Sequence, residues 1–240
     1  MAYAVQIYCD FSGYTDIAIG VAKLLGFRFP QNFDRPYSAR SVQEFWRRWH
    51  ITLSRWLRDY LYIPLGGNRR GTGRTYVNLM ITMLLGGLWH GAAWHFVVWG
   101  GLHGIYLAVG HWKQSQRDAG LLAEPPDTPL VAWMQRLTTF VLVCIAWTLF
   151  RADSVATALT LLGRTITGWG LPSPLVTLPV LLAIGLGLAT QFTPHGPAER
   201  IKAGLSRMNP VALGLTAAVV LFVITTLGPR GVAPFIYFQF

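Results

Sequence analysis

The sequence predicts an all-α polytopic membrane protein, with about six transmembrane helices and one further amphipathic helix that is interfacial or re-entrant. Three observations carry that prediction. Of 240 residues, 52% are hydrophobic and only 12% are charged, about half the charged share of a soluble domain. Apolar stretches recur at the length of about 20 residues that a helix needs to cross a hydrocarbon core. The basic charge is gathered in one place, with ten arginines against Asp34, Glu44 and Asp59 in residues 26–75. A net charge of +10 would point to nucleic acid in a soluble protein. Here it is assigned to cytoplasmic loops and anionic lipid headgroups, and no nucleic-acid partner is expected.

The first span is residues 2–25. It is unusual in carrying Asp10 and Asp16. Six residues apart, these lie about 120° from alignment on a helix. They read either as a proton relay or, with Ser12, Tyr14 and Thr15, as a polar helix-packing surface. The Arg-rich segment follows. Ser41-Val42-Gln43-Glu44 has the form of a capping box. Phe45, Trp49, Leu53, Trp56 or Leu57, and Tyr60 then recur every three or four residues, with Arg47, Arg48, Arg55 and Arg58 mostly between them. That pattern predicts one amphipathic helix ending near Pro64. It either lies on the membrane with its arginines reaching to phosphates, or lines a site and presents His50 and some of the arginines. Gly66-Gly67-Asn68-Arg69-Arg70-Gly71-Thr72-Gly73-Arg74 lacks the GK[ST] of a P-loop. It reads as a flexible cytoplasmic turn rather than a phosphate cradle.

Residues 76–111 are apolar for nearly two span lengths and divide into 76–93 and 95–111. Glycines at 86, 87, 91, 100, 101 and 104 permit close helix packing or a break there. Residues 132–150, 174–192 and 211–228 are further spans; 113–130 and 193–210 read as polar, proline-bearing loops. The positive-inside rule puts residues 26–75 on the cytoplasmic side, together with 113–130 and 193–210. No internal repeat divides the chain, so 1–240 reads as a single membrane domain. Cys9 and Cys144 lie in separate apolar segments with no CxxC partner, which argues against a disulfide or a zinc site.

Within the predicted 76–93 span sits Trp89-His90-Gly91. An ionisable group inside a bilayer is costly and marks a functional position by default. An imidazole in an apolar site stays neutral and so can act as a general base. The alternative is a histidine bonding across helices. His95, His103 and His111 are spaced by eight residues, which turns each about 80° from the last. They do not share a face as metal ligands would, and no metal is expected. His95 and His103 read as packing or interhelical bonding groups, and His111 and His195 as interfacial or loop residues. No G-x-S-x-G elbow and no H-E-x-x-H occurs.

Five stretches in order give the chain a resemblance: Gln6-Ile7-Tyr8-Cys9-Asp10-Phe11-Ser12-Gly13-Tyr14-Thr15-Asp16; Phe45-Trp46-Arg47-Arg48-Trp49-His50; Asp59-Tyr60-Leu61-Tyr62-Ile63-Pro64-Leu65-Gly66-Gly67-Asn68; Leu88-Trp89-His90-Gly91; and Pro234-Phe235-Ile236-Tyr237-Phe238-Gln239-Phe240. Jointly they resemble the C-terminal half of the bacterial membrane-bound O-acyltransferase (MBOAT) family, above all its alginate O-acetyltransferase-like members. Family members are usually about twice this length, so N-terminal spans are expected to be missing and are themselves a potential partner. The resemblance implies an acyltransferase of the bacterial cytoplasmic (inner) membrane that O-acetylates an extracellular polysaccharide. It makes His90 the catalytic base and His50 the second site residue. It implies acetyl-CoA or another activated acyl donor as co-substrate, with no bound cofactor. The acceptor is a polysaccharide or a periplasmic relay protein. A proton- or ion-coupled transporter using Asp10, Asp16 and His90, and an inactive truncated scaffold, are the competing readings.

Overall fold

The computed structural model describes residues 1–168 and 176–227, apart from the side chains of residues 195, 198 and 227. The 234–240 motif and the outermost residues of the predicted 174–192 and 211–228 spans lie outside the described residues. Every regular element described is helical.

The chain forms two compact units, the first ending at Gln191 and the second beginning at Phe192. The first opens with α1 (Ala2–Leu24), a helix over the extent of the predicted 2–25 span. The basic segment then departs from the single helix expected. It holds two short helices, α2 (Val42–Arg48) and α3 (Ile51–Leu57), and a wide π-type turn over Arg58–Tyr62. The break has an identifiable cause. The segment before α2 captures the backbone that a continuous helix would use: Asp34 N–H donates to Arg48 O at 2.9 Å and Ile51 N–H to Asn32 O at 3.0 Å. Trp49 is thereby turned into an aromatic cluster with Tyr8, Phe33, Tyr37, Phe45 and Trp147. The expected capping contact is present, with Glu44 N–H donating to Ser41 Oγ at 3.1 Å. The Glu44 carboxylate in turn accepts from Arg40 N–H and grips Arg48.

The glycine-rich turn is anchored rather than loose. Asn78, fully buried, donates to the carbonyls of Leu65 and Gly67. Helices α4 (Thr72–His90) and α5 (Trp94–Asp118) then run antiparallel in close contact. The glycines make that approach possible. A Cβ on Gly87 would fall on the Phe96 carbonyl, and one on Gly100 on the Met83 carbonyl. The expected 113–130 loop begins late, because α5 runs on past His111 to Asp118, where Gln114 donates to the Asp118 carboxylate at 2.9 Å.

Helix α6 (Pro129–Arg151) packs on α5 and is, among the described residues, the one helix long and apolar enough to cross a membrane on length and composition. Polar residues in α4 (Arg74, Asn78, His90) lower its hydropathy, although its 19 residues reach about 28 Å. Helix α7 (Val155–Thr167), capped by Ser154, was not expected. Helix α8 (Leu178–Ala189) has 12 residues, about 18 Å, shorter than the 174–192 span expected. In the second unit, α9 (His195–Ser206) forms where a loop was expected, aided by a Lys202–Glu199 pair. It is followed by α10 (Pro210–Leu227).

The interior of the first unit mixes polar groups into an aromatic core that includes Phe45, Trp99 and Phe150, and much of the outside is apolar too. Asn78, Thr82, His95, His103, Thr139 and Gln191 are buried, while Ile17, Val21, Ile105, Trp133 and Leu137 are exposed. Helices facing lipid associate through packing and interhelical hydrogen bonds, because lipid tails are as apolar as leucine.

Candidate functional site

His90 is the last residue of α4, and the chain reverses within three residues into α5. Gly91 permits that reversal at close quarters, since a Cβ there would meet the Phe96 ring at 2.6 Å. The half-buried His90 imidazole is seated edge-on against Trp99, at 5.2 Å between centroids, and Phe150, at 5.1 Å. Aromatic walls from α5 and α6 thus fix the ring, while neighbouring Trp89 is exposed.

His50 lies at the break between α2 and α3, with left-handed backbone at φ 43°. Its ring meets Phe11 of α1 at 4.9 Å and Trp89 at 6.4 Å. Trp89 links the two imidazoles, since its ring also meets that of His90 at 5.1 Å. The sequence readings had 40 residues between them; the fold brings them to one place.

Asn32 sets the chemistry of His50. The backbone N–H of Thr52 can only donate, and it reaches Asn32 Oδ1 at 3.2 Å, as does the Thr52 hydroxyl at 3.0 Å. That fixes which amide atom is oxygen. His50 Nδ1, 3.2 Å from the same oxygen, must therefore carry hydrogen and donate. Burial pushes the His50 pKa from 6.5 down to about 4. At neutral pH the ring is uncharged and its Nε2 lone pair is the basic position. Asn32 was missed in the sequence. It stands beside Gln31 in the short run between Pro30 and Phe33, with no periodicity to mark it.

The remaining histidines are sorted by their partners. His95 Nδ1 donates to Leu149 O at 3.2 Å, an interhelical bond as expected. His103, fully buried, accepts at Nδ1 from Trp46 Nε1–H at 3.2 Å. His111 is not in a loop but within α5, against Tyr76 of α4. Asp16 is exposed on α1 while Asp10 is half-buried. Of the arginines expected near the site, Arg48 is committed to Glu44 and Arg58 pairs with Asp59. Arg47 and Arg58 line a separate cleft with Trp46.

The elements that build this arrangement, α1 to α6, occupy the first 151 residues, and that same stretch matches the family model described as MBOAT, membrane-bound O-acyltransferase family. The whole chain is 40% identical to a probable alginate O-acetylase of Pseudomonas putida, covering 52% of that relative. It is 48% identical to a peptidoglycan O-acetyltransferase of Helicobacter pylori over 68% of this chain and 30% of the relative. It is 33% identical to a teichoic acid D-alanyltransferase of Streptococcus thermophilus over 58% of this chain and 36% of the relative. The chain therefore spans about half or less of the length of these curated relatives. The match extends unbroken from α1 through the Trp89–His90 turn to the end of α6, and the chain belongs to the membrane-bound O-acyltransferase family.

Proposed function

We propose that this chain carries the transfer centre of a multi-pass O-acyltransferase of the bacterial cytoplasmic membrane, acetylating hydroxyls of an alginate-like extracellular polysaccharide. The observation that carries the reading is the His90 imidazole, locked by Trp99 and Phe150 at the end of α4 and paired across Trp89 with His50.

In this reading the acceptor hydroxyl, on the sugar or on a relay protein, loses its proton to the imidazole of His90. Its oxygen attacks the carbonyl carbon of an acetyl thioester, with acetyl-CoA as the donor. The C–S bond breaks, and the thiolate leaves with the proton that His90 received. Products are the acetate ester and the free thiol. His50, whose Nδ1–H is committed to Asn32, offers Nε2 to orient the acceptor or donor. The aromatic walls limit water and so limit hydrolysis of the thioester. Arg47, beside the Arg58–Asp59 pair on the cleft, attracts the donor's phosphates.

The test is His90→Ala in the full-length membrane protein, with polymer acetylation measured in cells that otherwise lack it. Acetylation is expected to fall to background while the protein stays in the membrane at normal level, because a general base contributes about 10²–10⁴-fold. Retained acetylation overturns the assignment of His90.

A further inference from the structure

The cleft noted above is a cavity of about 250 Å³ between α2, α3, α4 and α5. Arg47 and Arg58, both exposed, stand on it, and Leu79, Met83 and Leu107 form its apolar surface. Trp46 also lines it. Met83 precedes His90 by seven residues on α4, about 10 Å along the axis. The apolar floor of the cleft thus lies about two turns of α4 from the histidine.

Between the cleft and His90 stands an aromatic partition. The Trp46 ring meets Trp99 at 5.8 Å, and the opposite side of that partition is the Trp99–His90 contact at 5.2 Å. Trp46 is held by its bond to His103 Nδ1. His103 itself packs on Trp99 at 4.9 Å and Phe45 at 6.4 Å. Its other nitrogen, Nε2, is buried with no hydrogen-bond partner. A ring needed only for packing would be cheaper as phenylalanine, since a buried unpaired polar atom is penalised. What histidine adds at this position is the grip on the Trp46 indole.

We infer that Trp46, braced by His103, is the wall that sets how large an acyl group can pass from the cleft to His90, restricting transfer to short acyl thioesters. This rests on the acyltransferase reading above and adds to it a specificity determinant. Acyl and partition are both apolar, so the discrimination is steric. In a filled apolar site one methylene is worth about tenfold or more.

The experiment uses membranes carrying the full-length protein, supplied with acetyl-, butyryl- and hexanoyl-coenzyme A. Thiol release and acylation of alginate oligosaccharide are both read. The wild type is expected to favour acetyl strongly. Trp46→Ala and Trp46→Leu raise the butyryl-to-acetyl ratio about tenfold or more. His103→Phe leaves Trp46 unbraced and shifts the ratio the same way by a smaller factor; His103→Gln, which restores an acceptor for the indole, shifts it least. Normal extraction as a monodisperse species establishes that each variant folds. An unchanged ratio in folded Trp46→Leu overturns the inference and leaves acyl transfer intact. So does loss of both activities in Trp46→Leu and Trp46→Phe alike, because a wall that only limits size is dispensable for acetyl. A wild type inactive on acetyl-coenzyme A, or acetyl transfer that survives His90→Ala, overturns the acyltransferase reading and this inference with it.

Discussion

Gly100→Ala tests the packing that holds the candidate site. The added methyl would fall on the Met83 carbonyl oxygen, with the Met83 carbonyl carbon at 3.0 Å and Gly87 Cα at 3.2 Å. All three are backbone atoms of α4, so no side chain can swing aside, and the helices must part. A gap of about 0.5–1 Å forfeits about a quarter to a half of the dispersion well of each facing atom pair. Overpacking of this kind costs about 1–3 kcal/mol. The clash is with backbone that no side-chain movement can relieve, which places Gly100→Ala near the upper end, at about 3 kcal/mol. Gly87→Ala meets the Phe96 carbonyl across the same seam. One separation relieves both clashes, so the double variant costs less than the sum of the two singles. Gly20→Ala on α1, where a Cβ meets nothing within 4 Å, is the control and stays within about 0.5 kcal/mol of wild type. Unfolding of the purified protein in mild detergent, followed by tryptophan fluorescence, reads these differences. Phe96 and Trp99 ride on α5 and seat His90, so acetylation falls as well, by about a hundredfold for a shift of about 1 Å. Equal stability of Gly100→Ala and Gly20→Ala would refute the close backbone seam.

Three further outcomes are expected. Asn32→Ala strands the Thr52 amide and His50 Nδ1, lowering stability by about 1–3 kcal/mol and depressing acetylation; full activity with unaltered stability would remove Asn32 from the site. The His50 pKa is lowered in the fold, so the folded state binds fewer protons than the unfolded chain between pH 6.5 and about 4. Its contribution is intact above pH 6.5 and is lost as pH falls through that window, at up to about 1.4 kcal/mol per unit. His50→Asn, which tolerates the left-handed backbone, should flatten that part of the stability–pH curve, and an unchanged slope would show that His50 does not titrate there. Ser41→Ala removes the acceptor for Glu44 N–H and is expected to lower the melting temperature by an amount equivalent to about 1 kcal/mol; an unaffected melt would mean that Glu44 and its arginine partners cap α2 without it.

The parts legible in the sequence are those governed by local chemistry. Ser41 and Glu44 announce a helix start through side-chain reach to nearby amides, and they make that contact. Gly87, Gly91 and Gly100 lack a Cβ, and the fold uses them where backbone or ring approaches closely. His95, read as a packing or interhelical bonding group, bonds the Leu149 carbonyl. The break at Trp49–His50 was not legible, because residues on both sides favour a continuous amphipathic helix. Contacts from Asn32 and Asp34, remote in sequence, interrupt it. The helix over 195–206 was hidden by its flanking prolines and polar composition.

Sequence alone determined that the chain is helical and apolar and that its basic charge is concentrated in residues 26–75, and it marked His90 as a costly ionisable group in an apolar run, with proton transfer and interhelical bonding both open. These follow from composition, periodicity and the cost of burying a charge, which need no partner. Tertiary structure decided that His50 joins His90 across Trp89, that Asn32 sets the His50 tautomer, and that His103 braces Trp46. Each depends on side chains 18 to 57 residues apart in the chain meeting within a few ångströms, a distance relation that no local pattern of residues encodes.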